Sequence, residues 1–332
     1  MRLQNILALT NAKLLNEPFV SIYEDITFNV SKIKRGDVFI AYDIEEIPQA
    51  ISNGAYAILF DKPTQIQDNE VAWIKVDSLD NALLRLLRFK LIQQEIQAYK
   101  CDEIVLKLSF CIETFNDIIS IKGDIKEHFL KLWNVKKSQK ILFCSKFSFE
   151  NLFTNSIQLQ SISKKKINII EKTLYETSFI YDNTYYERVM LSPFFIPFLE
   201  QLLNFYDSLH VKYKVKNFDN IDNFEILFVN KKFEIKEYGS SEFVLIFEKN
   251  LELIQKEMEF LSTYAPWAKI YFILPISLKN NSIKNCIYYQ NKNEILNLLQ
   301  KIDFHFAFIA GCDKNILKKF SFTTKQLTFD LI

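Results

Sequence analysis

The sequence predicts an α/β protein, and three observations carry that prediction. Short apolar runs of strand length alternate along the chain with segments of helical periodicity, which is typical of parallel strands joined by crossover helices. Residues 77–100 contain no Pro or Gly, and their leucines recur at helical spacing. Hydrophobic residues make up 49% of the 332 residues and charged residues 24%, which is the composition of a globular chain. This length is enough for two or three domains, each with its own core.

The composition also excludes several classes of function. The formal net charge of +1 provides no global field to attract nucleic acid or an anionic membrane. No apolar run reaches the roughly 18 residues that a membrane-spanning helix needs, and the N-terminus is too polar for a signal peptide. The five cysteines match no metal-binding spacing, so we interpret them as small buried side chains in a reducing cytoplasm. We therefore expect a cytoplasmic protein without a membrane span, metal or cofactor.

The first 100 residues read as one α/β domain. An amphipathic helix is predicted first, with its apolar face formed by Leu3, Ile6, Leu7, Leu14 and Leu15. Gly36 and Asp37 supply a tight turn, and Asn53-Gly54 ends a helix. Asp77 is predicted to cap the helix that follows it. The strands are predicted at 19–23, 26–28, 38–42, 55–60 and 71–76, and the later helices at 44–52 and 77–100.

The alternation restarts after residue 100, and a polar segment at 211–222 marks a second boundary. The predicted domains are therefore 1–100, 101–222 and 223–332, the last two built as one or two Rossmann-like, mostly parallel α/β layers. In the middle domain, strands are predicted at 104–108, 140–144, 167–174 and 178–181, and helices at 124–133, 149–157 and from Ser192 onwards. In the last domain, a hairpin at 224–229 and 233–238 precedes strands at 243–248, 269–274, 286–289 and 304–310, with helices at 251–263 and 294–302.

Two segments of the first domain carry a family resemblance. Residues 34–41 read KRGDVFIA, and residues 50–59 read AISNGAYAIL. Together with the strand and helix at 73–87, they resemble the N-terminal domain of the Mur ligases, the ATP-dependent amide ligases that build the peptidoglycan stem peptide. The resemblance is confined to the first domain. It implies a Mur-ligase-like N-terminal α/β domain and a bacterial protein of peptidoglycan biosynthesis.

The resemblance also implies a ligand site. In the family, the Ser and Arg of a TDSR-like run help to hold a uridine nucleotide; here the corresponding Asp, Ser and Arg positions hold Asn29, Val30 and Ser31. A Val side chain cannot form a hydrogen bond with that nucleotide. The family's DGH loop is also deleted here, after Tyr42. The residues that the resemblance places at the ligand are Thr27, Asn29, Ser31, Lys34, Gly36 and Asp37.

The ligase reaction additionally needs a glycine-rich loop whose backbone N–H groups surround the phosphates of ATP. It is expected after the predicted strand at 104–108, where the sequence reads SFCIETF without Gly or Lys. The chain has only 5 glycines, and no two lie within ten residues of each other. We therefore predict no catalytic residue. The preferred hypothesis is a pseudoenzyme that binds a cell-wall synthesis protein or a UDP-linked precursor.

Two other hypotheses stay open. The first is an enzyme of another class, with its site at the carboxyl end of the last strand, at Gly311, Cys312 and Asp313. Cys312 would be the nucleophile there, although Asp313 opposes thiolate formation and more simply caps the helix predicted at 314–318. The second is an interaction scaffold with an exposed patch of aromatic side chains. The three histidines are too dispersed for a metal site, and His128 is interpreted as a solvated residue in the middle of a helix.

Overall fold

A computed structural model describes residues 1–19, 21–160, 165–218, 221–241, 243–279 and 285–317. The chain divides into two compact units. Unit 1 comprises Met1–Leu106 and Thr114–Gln160, and unit 2 comprises Lys107–Glu113 and Ser161–Ile332. The division into three domains at residues 100 and 222 stays a prediction, and residues 318–332 of the last domain lie outside the described residues.

The first sheet of unit 1 has five strands in the order β1-β5-β4-β3-β2, all parallel except β1. Helices cover both faces, so the central strands are buried on both sides and read as continuous apolar runs. On one face Val38 and Ile40 join the larger core, and on the other Phe39 packs with Trp73 in a smaller core. The elements are α1 (Leu3–Thr10), β1 (Lys13–Leu14), β2 (Ile26–Thr27), β3 (Val38–Ile40), α2 (Ile47–Ser52), β4 (Ala57–Phe60), β5 (Ala72–Lys75) and α3 (Leu79–Gln93).

Three predictions in this region are wrong. The helix predicted at 77–100 ends at Gln93, and residues 97–100 form a strand. The first helix ends at Thr10, where Asn11 adopts a left-handed conformation with φ 55°, so Leu14 and Leu15 lie outside it. Residues 19–23 form no strand over their described part; there, Ile22 makes a single bridge to Arg2.

The cap of α3 differs from the prediction by one residue. Ser78, and not Asp77, caps the helix, because the Ser78 side chain accepts a hydrogen bond from the Asn81 N–H. Asp80 still lies in the first turn, where a carboxylate is favourable to the helix dipole.

The second sheet of unit 1 has four parallel strands in the order β10-β6-β9-β8. Helix α5 connects β8 to β9, and Asp124 caps it by accepting a hydrogen bond from the Glu127 N–H. The elements are β6 (Gln97–Lys100), α4 (Glu103–Ser109), β7 (Ile112–Glu113), β8 (Ile118–Ile121), α5 (Ile125–Leu132), β9 (Lys140–Phe143) and β10 (Ser156–Gln158). Two of these, β7 and the end of α4, belong to unit 2.

Two predictions fail in this sheet for the same reason. Residues 104–108 form part of helix α4 and not a strand. The helix predicted at 149–157 is instead a single 3₁₀ turn at Glu150–Leu152 followed by strand β10. Short apolar runs have no distinctive period, so pattern alone does not separate a buried helical turn from a strand.

The main sheet of unit 2 also has five strands, in the order β15-β16-β19-β17-β18. Only β15 runs antiparallel, and α7 and α8 supply crossovers between parallel strands. A small antiparallel sheet (β11-β12-β13) and a β7–β14 pair complete the unit. The elements are β11 (Asn168–Lys172), β12 (Thr177–Tyr181), β13 (Thr184–Val189), α6 (Ile196–Ser208), β14 (Lys214–Val215), β15 (Glu225–Val229), β16 (Phe243–Glu248), α7 (Ile254–Tyr264), β17 (Ile270–Pro275), β18 (Cys286–Tyr289), α8 (Ile295–Leu299) and β19 (Phe306–Ala310).

The predicted α/β class is confirmed, since each unit contains a sheet of mostly parallel strands connected by helices. One strand of the hairpin before β16 is wrong, because residues 233–238 make only the single bridge between Val229 and Ile235. No helix within the described ranges is long and apolar enough to cross a membrane.

Candidate functional site

A cleft of about 1130 Å³ in unit 1 contains most of the residues predicted at the ligand site. Of the six predicted residues, Thr27, Ser31, Lys34 and Asp37 line it, whereas Asn29 and Gly36 do not. The cleft lies at the amino ends of β2 and β3, and the last turns of α3 and α5 complete it. The remaining lining residues are Met1, Asn5, Glu24, Asp25, Ile26, Lys32, Ile33, Phe89, Lys90, Gln93, Trp133 and Asn134.

The turn before β3 fixes one side of the cleft. The Lys34 N–H donates to Asp37 Oδ2 at 2.8 Å, and the Asp37 N–H donates back to the Lys34 carbonyl at 3.1 Å. Gly36 makes this turn possible with φ +102°, a conformation that side chains with a Cβ disfavour. Asp37 is only 4% exposed. Its carboxylate therefore holds the turn together, and the neighbouring Lys34 side chain is the group that faces solvent.

A chain of local hydrogen bonds shapes the rim. The Asn29 N–H donates to Thr27 Oγ1 at 3.2 Å, and Asn29 Oδ1 accepts from both the N–H and the hydroxyl of Ser31, at 2.9 and 2.7 Å. Asn29 thereby caps the short 3₁₀ helix Val30–Lys32. Val30 is buried in the smaller core, so the residue at the family's Ser position is used here for packing. The Ser31 hydroxyl proton is therefore used by Asn29, whereas the Thr27 hydroxyl only accepts the Asn29 N–H and keeps its own proton for a ligand.

The floor of the cleft is formed by residues that were not predicted from the sequence. Trp133 Nε1 donates to Asp25 Oδ1 at 2.7 Å, and Lys90 Nζ lies 4.0 Å from the Trp133 ring centroid. Burial lowers the pKa of Lys90, and the charge of Asp25 partly offsets this effect. Lys90 and Trp133 come from the ends of two helices that are far apart in the sequence, so no local motif relates them.

The cleft has two exposed lysines that are available to an anion, beside the exposed carboxylate of Glu24. Lys32 and Lys34 are exposed, and neither ammonium group forms an ion pair with any residue that the structure describes. Two of the three carboxylates, Asp25 and Asp37, already accept N–H donors. Phe89 adds an apolar wall, with 38% of its surface exposed. This arrangement is suited to a ligand that joins an anionic group to a flat or apolar one.

In the second sheet of unit 1, the first connection from a parallel strand to a helix is the one between β6 and α4. Only Cys101 and Asp102 separate β6 from α4. The Cys101 N–H donates to the Phe143 carbonyl at 2.9 Å, and burial raises the pKa of its thiol. The connection contains no glycine, and its side chains are a buried thiol and a carboxylate.

The second predicted location follows β19. Cys312 is buried, its Sγ lies 3.8 Å from the Ala310 carbonyl, and burial raises its pKa to about 11. Asp313 Oδ1 accepts a hydrogen bond from the Asn315 N–H at 2.9 Å. These contacts favour packing for Cys312 and capping for Asp313. The helix predicted at 314–318 is described only as far as Leu317. A role for Gly311, Cys312 and Asp313 in ligand binding stays a prediction.

The interpretation of His128 as a solvated residue is wrong, because its side chain is fully buried. Its Nδ1 lies 2.7 Å from the Asp124 carbonyl and its Nε2 lies 3.2 Å from Ser148 Oγ. Burial lowers the pKa of His128. Four of the five cysteines are buried, as predicted, whereas Cys286 is only half-buried. Within the described ranges, no group of His, Cys, Asp and Glu side chains is arranged to hold a metal ion.

Comparisons with known proteins find similarity to solved structures, whereas the sequence comparisons find none. No protein-family model matches the sequence, and no curated protein matches it. The chain is similar to MurF from Acinetobacter baumannii, with 10% identity, 97% of both chains covered and a TM-score of 0.47. It is also similar to MurF ligase from Thermotoga maritima, solved in complex with ADP, with 14% identity, coverage of 92% of this chain and 98% of that one, and a TM-score of 0.46.

Proposed function

We propose that this chain is a Mur-ligase-like protein of the cytoplasm that binds a UDP-linked peptidoglycan precursor without carrying out ATP-driven ligation. The observation that carries the proposal is the cleft of unit 1. It brings together Thr27, Ser31, Lys34 and Asp37, four of the six residues that the family resemblance selects.

The chemistry of the cleft fits a nucleotide-linked ligand. A diphosphate would be bound by the ammonium groups of Lys32 and Lys34 and by the hydroxyl of Thr27, whereas the Ser31 hydroxyl already donates to Asn29. The exposed face of Phe89 offers an apolar surface on which a base can stack. The buried Val30 cannot replace the polar family residue at its position, so we expect weaker recognition of the uracil edge.

The connection between β6 and α4 supports the absence of ligation. A phosphate loop needs several consecutive N–H groups that converge on the anion, and glycines make that backbone conformation accessible. Here two residues, Cys101 and Asp102, span the connection. The Asp102 carboxylate would repel a triphosphate, and the Cys101 N–H already donates to Phe143.

The experiment is a thermal-shift series with UDP, UDP-N-acetylmuramoyl peptides and ATP, each with and without magnesium. A ligand that binds only the native state stabilises it by about 2.7 kcal/mol at a hundredfold excess over its dissociation constant. We expect a shift with the UDP-linked precursor and none with ATP. Lys34→Ala should reduce the shift. Lys13→Ala should not, because it removes an exposed charge on β1, outside the cleft.

Two results would contradict the proposal. ATP-dependent ligation by the purified protein would exclude the proposed non-catalytic role. If no UDP compound changed the melting temperature, the UDP-linked precursor would be excluded as the ligand. A protein of the cell-wall pathway would then be the partner to seek.

A further inference from the structure

Two carboxyl side chains meet in the interior of unit 2, away from the cleft. Glu248 is the last residue of β16, and Glu257 lies in the first turn of α7. Both have 0% exposed surface, and their carboxyl groups are within hydrogen-bonding reach of each other. Buried carboxyl groups are rare in protein interiors unless they are paired with a cation or a donor.

The two groups have very different surroundings. Glu248 accepts three N–H donors, from the Asn223 amide at 2.8 Å, the Phe224 backbone at 3.0 Å and the Asn250 backbone at 2.6 Å. Neither oxygen of Glu257 accepts a hydrogen bond from any N–H or O–H donor of the described residues. Burial raises the pKa of Glu248, but the three donors offset part of this effect and favour its ionised form, whereas no donor among the described residues stabilises a charge on Glu257.

The charged groups on the neighbouring elements make their own contacts. Lys107 Nζ donates to Asn223 at 2.6 Å and pairs with Asp222 at 2.7 Å. Lys249 pairs with the same Asp222 at 2.8 Å. On β15, Glu225 pairs with Lys314 at 3.1 Å. On α7 itself, the charged neighbours Lys256 and Glu259 are exposed. Hydrogen bonds therefore link Lys107 to Asn223 and Asn223 to Glu248. Among the described residues, the polar group beside the Glu257 carboxyl is the carboxyl group of Glu248.

We propose that Glu257 and Glu248 share one proton in the folded protein and act as a proton-dependent latch between α7 and the end of β16. Glu257 carries the proton and donates its O–H to the ionised Glu248. Two buried carboxylates side by side repel each other strongly, so the fold requires that one of them stay neutral. The neutral acid then supplies the donor that Glu257 otherwise lacks, and it fixes the first turn of α7 to the sheet.

The latch makes stability depend on pH in a definite direction. Burial, with the neighbouring charge of Glu248, raises the pKa of Glu257 well above its ordinary value of 4.5. The unfolded chain releases this proton above that value, whereas the folded chain retains it. Between the two pKa values the folded state binds more protons, so the stability of unit 2 falls as pH rises.

The test compares urea unfolding of the wild-type protein and Glu257→Gln from pH 5 to pH 9. The amide of Gln keeps the shape of the neutral acid and donates an N–H to Glu248. Within the window, we expect the wild-type unfolding constant to grow up to tenfold per pH unit relative to the variant. Glu259→Gln, an exposed change on the same helix, should follow the wild-type curve. Identical pH dependence for wild type and Glu257→Gln would overturn the proposal.

An infrared measurement on the wild-type protein keeps the proposal testable if the variant does not fold. A neutral buried carboxylic acid has a carbonyl stretch above the amide bands, and we expect this band at pH 7. Its absence would show that both groups are ionised. If calcium or magnesium stabilised the wild-type protein at pH 9 but not Glu257→Gln, the pair would be a cation site and the latch would be wrong.

Discussion

The Asp37→Ala substitution tests whether a buried residue of the predicted ligand site stabilises the fold or contacts the ligand. Asp37 is 4% exposed, and its carboxylate accepts the Lys34 N–H at 2.8 Å. A hydrogen bond to a charged group contributes about 1.5–3 kcal/mol to stability. The Lys34 N–H is only partly buried, so water can replace the lost acceptor in part. We therefore expect a loss of about 2 kcal/mol in the free energy of unfolding.

Urea unfolding followed by tryptophan fluorescence measures this loss. Trp73 and Trp133 are both buried in unit 1, so their emission reports on the unit that contains Asp37. With a urea dependence of about 2 kcal/mol per molar, the unfolding midpoint should fall by about 1 M. Asp37→Asn keeps an acceptor without the charge and should lose about half as much.

The control is Asp43→Ala, which removes a similar local hydrogen bond, from the Glu45 N–H at 2.9 Å, at an exposed position. Its cost should be about 1 kcal/mol or less. If Asp37→Ala kept its stability within about 0.5 kcal/mol of the wild-type value yet lost all ligand binding, then Asp37 would be a direct ligand contact. That result would refute our assignment of its carboxylate to the turn.

Two further predictions follow from buried titratable groups. Cys312 should resist alkylation at pH 8 in the folded protein and react after unfolding, because it is buried and its pKa is raised to about 11. Peptide mass spectrometry identifies the modified cysteine. Modification of Cys312 in the folded protein would favour the nucleophile hypothesis. Unit 1 should lose stability as pH falls below the ordinary His value of 6.5, because burial lowers the pKa of His128 and the unfolded chain takes up a proton that the folded chain refuses. His128→Gln should reduce this loss of stability at low pH in urea titrations. If the loss is unchanged in the variant, other groups cause it.

The sequence was most informative where the pattern of apolar residues and the residues that end a strand or helix indicate the same boundaries. The strands of unit 2 from β16 to β19 were predicted within a few residues, since continuous apolar runs bounded by polar or Pro residues permit few alternatives. Residues 104–108 were predicted as a strand because Ile104, Val105, Leu106 and Leu108 are all apolar. All four are buried in helix α4, whose seven residues are too few for the polar pair Glu103 and Lys107 to reveal a helical period.

The candidate site was predictable only in its local part. The turn at Gly36 and the hydroxyls of Thr27 and Ser31 lie in one short stretch that the family resemblance covers. Lys90 and Trp133 enter the cleft from two helices that meet only in the folded chain, and a charged residue on a helix ordinarily indicates a solvated face. The burial of His128 was missed for the same reason, because its sequence neighbours Lys126, Glu127 and Lys131 suggest solvent.

The floor of the cleft has a spectroscopic consequence. Trp133 is stacked with Phe129 at a centroid distance of 4.5 Å, is overlaid by the Lys90 ammonium and donates its N–H to Asp25. Indole emission is sensitive to a nearby positive charge, and the cation–π contact holds that charge against the ring. An anion that draws Lys90 away from the ring therefore alters the emission of Trp133. The protein thus contains an intrinsic optical reporter at the floor of its candidate site, and occupancy of the cleft can be followed without a label.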